Sequence, residues 1–191
     1  MDKIKLVLAS KSPRRQSLIE SMGFPFEVRI KEVEEVYPQE LEPEKVPVFL
    51  AELKAKPLID QLQDGEVLIT SDTVVIHEGK ILGKPIDYND AFQMLQSLSG
   101  KIHTVVTGVC MQSKSTTVSF SETTIVHFSN VSKDEIDYYI ENFKPYDKAG
   151  AYGIQEWIGA IAVHKIEGCY YNVMGLPVHK VYRTLKERFI N

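Results

Sequence analysis

Cysteine is scarce in this sequence, and the two that are present do not form a pattern. Cys110 and Cys169 lie far apart and belong to no CxxC motif. A disulfide framework or a cysteine metal site would need more cysteines at closer spacing. The sequence therefore favours a reducing compartment.

A basic excess and long apolar runs are also missing. The 22 Lys and Arg residues are outnumbered by 26 Asp and Glu residues, which gives a net charge of -4. A broad nucleic-acid-binding surface usually shows a basic excess, so any anion site here must be local. Residues 1–6 carry too short an apolar run for a signal peptide, and no later segment is long enough to span a membrane. We expect a cytoplasmic protein that binds neither nucleic acid nor membrane.

Several familiar functional motifs are absent as well. The sequence contains no Walker A loop, no GxGxxG and no HExxH. Its five histidines lack the close spacing of metal ligands and are interpreted as structural or exposed: His77, His103, His127, His164 and His179.

Strand and helix patterns alternate along the chain, which predicts a mixed α/β fold. With 191 residues, 43% of them hydrophobic, the chain can bury a sizeable core. No repeat or linker separates independent domains, so one domain, or one domain with two lobes, is expected. The predicted strands are Leu6–Ser10, Val67–Ser71, Ile102–Met111, Thr116–Phe128 and Ala160–Ile166, with a hairpin over Thr73–Leu82 that turns at Glu78-Gly79. Helices are predicted after Ser12, from Val46, from Ala91, after the capping box Ser132–Glu135, and after Pro177.

The first candidate site is the turn from the first strand into the first helix. Ser12 is a good N-cap, and Pro13 suits the first helical position. Arg14 and Arg15 in the first turn oppose the helix dipole at about 0.3–1 kcal/mol each. A bound phosphate would remove that conflict, held by backbone N–H groups, both arginines and the hydroxyls of Ser10 and Ser12. The other interpretation is a capped surface helix with solvated arginines.

The second candidate is Asp72, which follows an apolar strand. Ligands of open α/β sheets bind at the carboxyl ends of strands, so a carboxylate there suits a metal or a base. Alternatively, Asp72 caps the following turn. Glu34-Glu35 could hold Mg²⁺, and Lys54, Lys56 and Lys84 could contact phosphate oxygens, although each is also explained as a solvated surface charge.

The third candidate is the segment Asp147–Gln155. Its small residues permit close approach to a ligand, and the Gln155 amide can donate and accept at once, as the edge of a base requires. A Gly-rich turn before a strand is the alternative.

Taken together, these segments resemble the Maf family of nucleoside triphosphate pyrophosphatases. Each motif alone would be weak, but their order along nearly the whole chain is specific. The resemblance rests on Ala9–Arg15, Ser71–Val75, Leu82–Pro85, Leu98–Gly100, His103, Thr107-Gly108, Asp147–Gln155 and Tyr171–Pro177.

The resemblance implies hydrolysis of the α–β phosphoanhydride of a nucleoside triphosphate with a divalent metal. It implies a two-lobed mixed α/β sheet flanked by helices, with a central cleft, over residues 1–191, in a homodimer. Asp72 matches the family's proton acceptor, and Glu35 matches an acidic residue near the metal. Arg14, Thr73 and Gln155 match the family's positions that set substrate choice. Ser10, Arg15, Lys54 and Lys84 match its phosphate-contacting positions.

Within the family, the late motif Ala151–Gln155 resembles the branch that acts on dTTP and UTP, whereas another branch prefers 7-methyl-GTP. Glu156-Trp157 stands where many members have a glycine, so the rim of the site differs here. We expect Mg²⁺ or Mn²⁺ to be held by Asp72 and Glu35, and Asp72 to act either as the base or mainly as a group that orients a metal-activated water.

The substrate and the role in the cell stay open at this point. The substrate is dTTP, UTP or a modified pyrimidine nucleotide. A non-catalytic nucleotide-binding regulator of cell division is the alternative, since the family is also linked to arrest of septum formation. A nucleic-acid-binding protein is disfavoured by the acidic balance.

Overall fold

The computed structural model describes residues 4–190 of the chain. Its strands are β1 (Lys5–Leu8), β2 (Phe26–Val28), β3 (Glu66–His77), β4 (Lys80–Leu82), β5 (Ile102–Gln112), β6 (Thr117–Phe128) and β7 (Val163–Glu167). Its α-helices are α1 (Pro13–Glu20), α2 (Val46–Ala55), α3 (Tyr88–Leu98), α4 (Lys133–Phe143), α5 (Trp157–Ala162), α6 (Tyr170–Met174) and α7 (Val178–Arg188). Short 3-10 helices cover Pro43–Lys45, Lys56–Gln61, Pro145–Asp147 and Ala149–Ala151.

The seven strands among the described residues form one mixed sheet. Their order is β2-β1-β3-β5-β6-β7, with β4 paired to β3. Strand β1 is parallel to both β2 and β3, with Leu6 opposite Phe26 and Val67, whereas β4 is antiparallel to β3 and β7 is antiparallel to β6. Strand β1 pairs on both edges, and its residues after Lys5 are buried, as in a central strand that is covered on both faces. The predicted mixed α/β fold is confirmed.

The chain divides into two compact units, each with its own core. Unit 1 comprises the described residues of Met1–Asp72, Thr107–Glu122 and Gly175–Asn191, and unit 2 comprises Thr73–Val106 and Thr123–Met174. The core of unit 1 includes Val7, Ala51, Ala55, Leu58, Leu62, Leu68 and Cys110. The core of unit 2 is built around α3 and α4 and includes Leu95, Leu98, Val126, Ile136, Tyr139 and Ile158. The single two-lobed domain with a central cleft stays a prediction.

Local sequence signals explain several element ends. Helix α4 opens on the predicted capping box, in which Ser132 and Glu135 satisfy each other's backbone N–H groups. The hairpin of β3 and β4 turns at Glu78-Gly79, where both residues adopt positive φ angles of 49° and 75°. The chain after α3 bends at Gly100, whose φ is 69°.

Two predicted boundaries are wrong. The strand predicted to end before Asp72 continues as β3 to His77, because Val75 to His77 pair with β4 and Asp72 merely interrupts the apolar run. Residues 160–162, predicted as the start of the last strand, complete helix α5, so β7 begins only at Val163. Helix α6 had no recognisable signal in the sequence, because a five-residue helix spans too few turns to show a period.

Two absences can be stated for the described part of the chain. Both cysteines there are free thiols, Cys110 buried and Cys169 partly buried. Within residues 4–190, none of the helices combines the length and apolarity that spanning a bilayer requires.

Candidate active site

The turn between β1 and α1 is closed by its own serines. Ser12 is the N-cap of α1, and its Oγ accepts a hydrogen bond from the backbone N–H of Arg15 at 3.4 Å. The Ser12 backbone N–H donates to Ser10 Oγ at 3.2 Å, and Ser10 is buried. Each hydroxyl oxygen is used as an acceptor, so each hydroxyl hydrogen can still be donated to a ligand. The predicted N-cap is confirmed.

Positive charge is concentrated at the start of α1. No acidic residue stands in its first turn, where Arg14 and Arg15 both lie. Arg15 Nε donates to the carbonyl oxygen of Gly175 at 2.9 Å, which fixes the plane of the guanidinium. Burial lowers the pKa of Arg15, Arg14 lowers it further, and the carboxylates of Asp72 and Glu35 act in the opposite direction. The guanidinium nevertheless stays charged, because arginine keeps its proton in proteins.

Lys54 joins two carboxylates that are distant in sequence. Its Nζ lies 2.6 Å from Asp72 Oδ1 and 3.1 Å from Glu35 Oε1. The side chains of Lys54 and Asp72 are only 16% and 13% exposed, whereas that of Glu35 is 53% exposed. Helix α2 supplies the lysine, strand β3 the aspartate, and the irregular segment after β2 the glutamate. One ammonium group therefore pairs with a deep and a shallow carboxylate at once.

Close packing of α2 on the sheet brings Lys54 to Asp72. Thr70 Oγ1, buried on β3, donates to the carbonyl oxygen of Ala51 at 2.6 Å. A Cβ on Gly108 of β5 would lie 2.2 Å from backbone atoms of Pro47 and Val48, so only glycine permits this approach. Both contacts lie within unit 1.

Whether a divalent metal fits this group is a question of donor chemistry. Among the described residues, no cluster of three or more His, Cys, Asp or Glu side chains could hold a metal by itself. Mg²⁺ is usually bound by one or two carboxylates, with substrate phosphates and water completing the octahedron. Asp72 and Glu35 share one ammonium partner, and they provide two such carboxylates close together. The residues therefore fit a metal that is completed by substrate.

The other predicted residues lie in unit 2. Thr73 follows Asp72 on β3 and is partly buried, whereas Lys84 and Gln155 are exposed. A backbone hydrogen bond of 3.0 Å from the N–H of Gly150 to the carbonyl of Gly83 places the Lys84 segment beside the segment that leads to Gln155. The predicted residues thus form two groups. The group in unit 1 is Ser10, Ser12, Arg14, Arg15, Glu35, Lys54 and Asp72; the group in unit 2 is Thr73, Lys84 and Gln155.

Sequence reasoning missed a buried polar network beside Gln155. Lys148 is 7% exposed and its Nζ lies 3.1 Å from Glu156 Oε1. Glu156 also accepts a hydrogen bond from the hydroxyl of Tyr139. One signal was available in the sequence. A lysine and a glutamate flank a segment of small residues, and two such charges must form an ion pair if the segment is buried.

Comparison with known proteins gives a consistent result. The model of a family described as "Maf-like protein" matches residues 5–188. A "dTTP/UTP pyrophosphatase" of Flavobacterium johnsoniae is 51% identical over 97% of this chain and 95% of its own. Proteins of the same name from Porphyromonas gingivalis and Bacteroides fragilis are 51% and 48% identical, each over 98% of this chain and over 96% and 97% of their own.

A solved structure supports the fold independently. A HAM1 protein from Coxiella burnetii superposes with a TM-score of 0.55 over 96% of this chain and 99% of its own. The sequence identity is only 10%, so this likeness concerns the fold alone. The family model and the relatives at about 50% identity agree with the Maf-like motifs of the sequence. The chain belongs to the Maf family.

Proposed function

We propose that this protein is a nucleoside triphosphate pyrophosphatase that hydrolyses dTTP and UTP to the monophosphate and pyrophosphate, and so removes unwanted nucleotides from the pool. The observation that carries the proposal is the group of Lys54, Asp72 and Glu35 in the electrostatic field of Arg15. The names and near-complete coverage of the relatives support the same activity.

The turn at the start of α1 binds the triphosphate. Backbone N–H groups at a helix start and the arginine forks are suited to phosphate oxygens. The Arg15 guanidinium is already oriented by the Gly175 carbonyl, so little side-chain entropy is lost when phosphate binds. Lys54 turns from its two carboxylates to the phosphates, and with Arg15 and Lys84 it stabilises charge on the departing pyrophosphate.

Asp72 carries the chemistry. Water attacks the α-phosphorus in line, a new P–O bond forms, and the bond from that phosphorus to the bridging oxygen breaks. The Asp72 carboxylate holds the attacking water, as proton acceptor or as the group that orients it. Because Asp72 is 13% exposed, its carboxylate can reach a bound substrate and is partly shielded from bulk water.

Asp72 and Glu35 are the residues that would hold Mg²⁺ or Mn²⁺. When bound, such a cation supplies Lewis-acid polarisation of the phosphates and neutralises their charge. Glu35 lies at the exposed side of the group, and Asp72 lies deeper. Both carboxylates release the Lys54 ammonium in the substrate complex.

Gln155 selects the base. The amide offers a donor and an acceptor side by side, which matches the imide edge of thymine or uracil, whereas cytosine presents a different pattern. Gln155→Ala should lower the ratio of kcat/KM for UTP over CTP by about tenfold, since a site built for such hydrogen bonds penalises a mismatched partner. An unchanged ratio would contradict this role.

The activity is tested by a pyrophosphate-release screen. The protein is incubated with ordinary triphosphates and with modified ones such as pseudo-UTP, 5-methyl-UTP and 5-methyl-CTP, with Mg²⁺, with Mn²⁺ and with a chelator. We expect fastest release from dTTP, UTP or a modified pyrimidine, and none with the chelator. Nucleotide binding without turnover in every arm would favour a regulator of cell division instead.

The assembly and location belong to the same proposal. A homodimer in the cytoplasm follows from the family resemblance and suits an enzyme of the nucleotide pool. Sedimentation at micromolar concentration would test the dimer, and a single species at the mass of one chain, 21.7 kDa, would contradict it.

A further inference from the structure

We propose that Tyr139, Glu156 and Lys148 are positioning residues that hold Gln155 for base recognition. The inference rests on the proposed function, in which Gln155 reads the base. All of these residues lie in unit 2. The sequence placed Lys148 in the candidate segment Asp147–Gln155 and Glu156 at its rim, but it gave none of the three an individual role.

The segment Gly153–Glu156 forms a tight turn, which we call the Gln155 turn. The Glu156 backbone N–H donates to the carbonyl oxygen of Gly153 at 3.0 Å and closes it. A Cβ on Gly153 would lie 2.9 Å from Gln155 Nε2 and 2.9 Å from Glu156 Cδ. Both side chains therefore fold back over the glycine, and the position of one limits the position of the other.

One tyrosine hydroxyl holds both ends of the Gln155 turn. Tyr139 is fully buried on α4, where its ring stacks on Phe143 at 5.1 Å between centroids. Its Oη accepts the Gly153 backbone N–H at 3.1 Å and donates to Glu156 Oε2. Burial raises the pKa of the Tyr139 hydroxyl, and the Glu156 carboxylate raises it further, so the hydroxyl keeps the proton that it donates.

Lys148 fixes the other oxygen of Glu156. Its side chain is 8% exposed, and Nζ lies 3.1 Å from Glu156 Oε1 and 2.7 Å from Asp147 Oδ1. Each carboxylate oxygen of Glu156 thus has its own partner, and the carboxylate cannot rotate without losing one. A buried ammonium that loses a partner is strongly disfavoured, so the arrangement has one stable state.

This network confers rigidity on a residue that is itself exposed. Gln155 has a flexible side chain, and an amide free to turn over would suit cytosine as well as uracil. The network fixes the backbone and restricts the space of the side chain, while the amide stays accessible to a ligand. Preorganisation of this kind lowers the cost of binding the matching base.

The test compares two tyrosines with the same chemistry. Tyr139→Phe removes the hydroxyl that holds the Gln155 turn. Tyr88→Phe is the matched control, because the Tyr88 hydroxyl also donates to a carboxylate in unit 2, that of Asp137. We expect Tyr139→Phe to lower the UTP-to-CTP ratio of kcat/KM by about fivefold or more, as loss of a hydrogen bond to a charged group implies, mainly through a higher KM for UTP. Tyr88→Phe should keep the wild-type ratio.

A double-variant cycle separates positioning from general weakening. If Tyr139 acts through Gln155, Tyr139→Phe combined with Gln155→Ala should be no less selective than Gln155→Ala alone. Selectivity losses that multiply in the double variant, or a wild-type ratio in Tyr139→Phe, would overturn the inference. Should Tyr139→Phe fail to fold, Glu156→Gln replaces it, with Asp137→Asn as control and the same expected pattern. Failure of the proposed function is distinct, because the wild-type protein would then release no pyrophosphate from any pyrimidine triphosphate.

Discussion

The charged group around Lys54 in unit 1 and the Gln155 turn in unit 2 have different proposed roles, phosphate binding and base recognition, and they are built in opposite ways. Lys54, Asp72 and Glu35 come from three distant stretches of sequence and meet through ion pairs, one of them half exposed. The Gln155 turn comes from one short stretch, and its supports, Tyr139 and Lys148, are buried.

The difference reflects what each group must do. Lys54 would gain phosphate oxygens when it leaves its carboxylates, so its largely buried ammonium is never left without a charged partner. Buried networks that are fully satisfied hold one geometry, which is what discrimination between similar bases requires. Exchange of ion-pair partners suits the proposed phosphate-binding role of the charged group around Lys54. Fixed geometry suits the proposed base-recognition role of the Gln155 turn.

The largest expected effect is that of Asp72→Asn on the charged group. Turnover should fall by about a thousandfold or more, since both a general base and a group that orients water are lost. Asparagine can still accept from Lys54, so folding and nucleotide binding should persist. Pyrophosphate release measures turnover, and a fluorescence titration measures nucleotide binding. Asp64→Asn is the control, because Asp64 also pairs with a lysine, Lys114, at 2.9 Å; turnover of Asp72→Asn near the wild-type rate would exclude both roles.

Lys54→Met removes the ammonium group that pairs with both Asp72 and Glu35. We expect kcat/KM to fall about a hundredfold, as for loss of one donor to transition-state charge. Asp72 and Glu35 would then face each other without a cation, so Mn²⁺ should bind more tightly in the absence of nucleotide, as measured by paramagnetic resonance. Lys114→Met provides the control at an exposed pair. Weaker or unchanged Mn²⁺ binding would show that these carboxylates do not form the cation site.

A pH effect on stability should arise in unit 2, where His103 supports the residue before the Gln155 turn. His103 Nε2 lies 2.7 Å from the hydroxyl of Tyr152. Burial, with smaller contributions from His77 and His127, lowers the pKa of His103 to about 3. Between about pH 6.5 and 3 the unfolded chain binds the proton and the folded chain does not, so the free energy of unfolding falls as pH falls through this range.

Relative to pH 7, the contribution of His103 to the free energy of unfolding at pH 5 should be lower by about 2 kcal/mol. Urea unfolding at both pH values measures it. His103→Gln should lose this part of the pH dependence, whereas His179→Gln, at an exposed position, should retain it. An equal pH dependence in wild type and His103→Gln would refute the assignment.

Much of the fold could be predicted because its signals are local. The serine cap before Pro13, the capping box at Ser132 and the turn at Glu78-Gly79 each satisfy backbone groups within a few residues. The extent of β3 could not be predicted in the same way. Pairing with β4 continues the strand past the polar Asp72, and pairing between strands is not encoded in a single run of residues.

The candidate site could be predicted where the residue types themselves indicate a binding or catalytic role. Arginines at a helix start and a carboxylate after an apolar run indicate an anion and a cation site, and the Maf motifs supplied the rest. The supports of Gln155 were not predictable. Tyr139 follows the period of a core helix residue, and only the structure joins its hydroxyl to Gly153 and Glu156.

The smallest expected effect is that of Gly153→Ala, which tests the Gln155 turn directly. The new Cβ would meet the ends of the Gln155 and Glu156 side chains at 2.9 Å, and these can move, whereas a backbone neighbour could not. Displacement of Gln155 from its preferred rotamer costs about 0.5–1.5 kcal/mol, so the UTP-to-CTP ratio should fall about threefold. The free energy of unfolding should change by less than about 1 kcal/mol, because alanine also restricts the unfolded chain. Gly83→Ala, where a Cβ meets nothing within 4 Å, is the control for stability. If Gly153→Ala loses stability but keeps its selectivity, the Gln155 turn serves the fold rather than the choice of base.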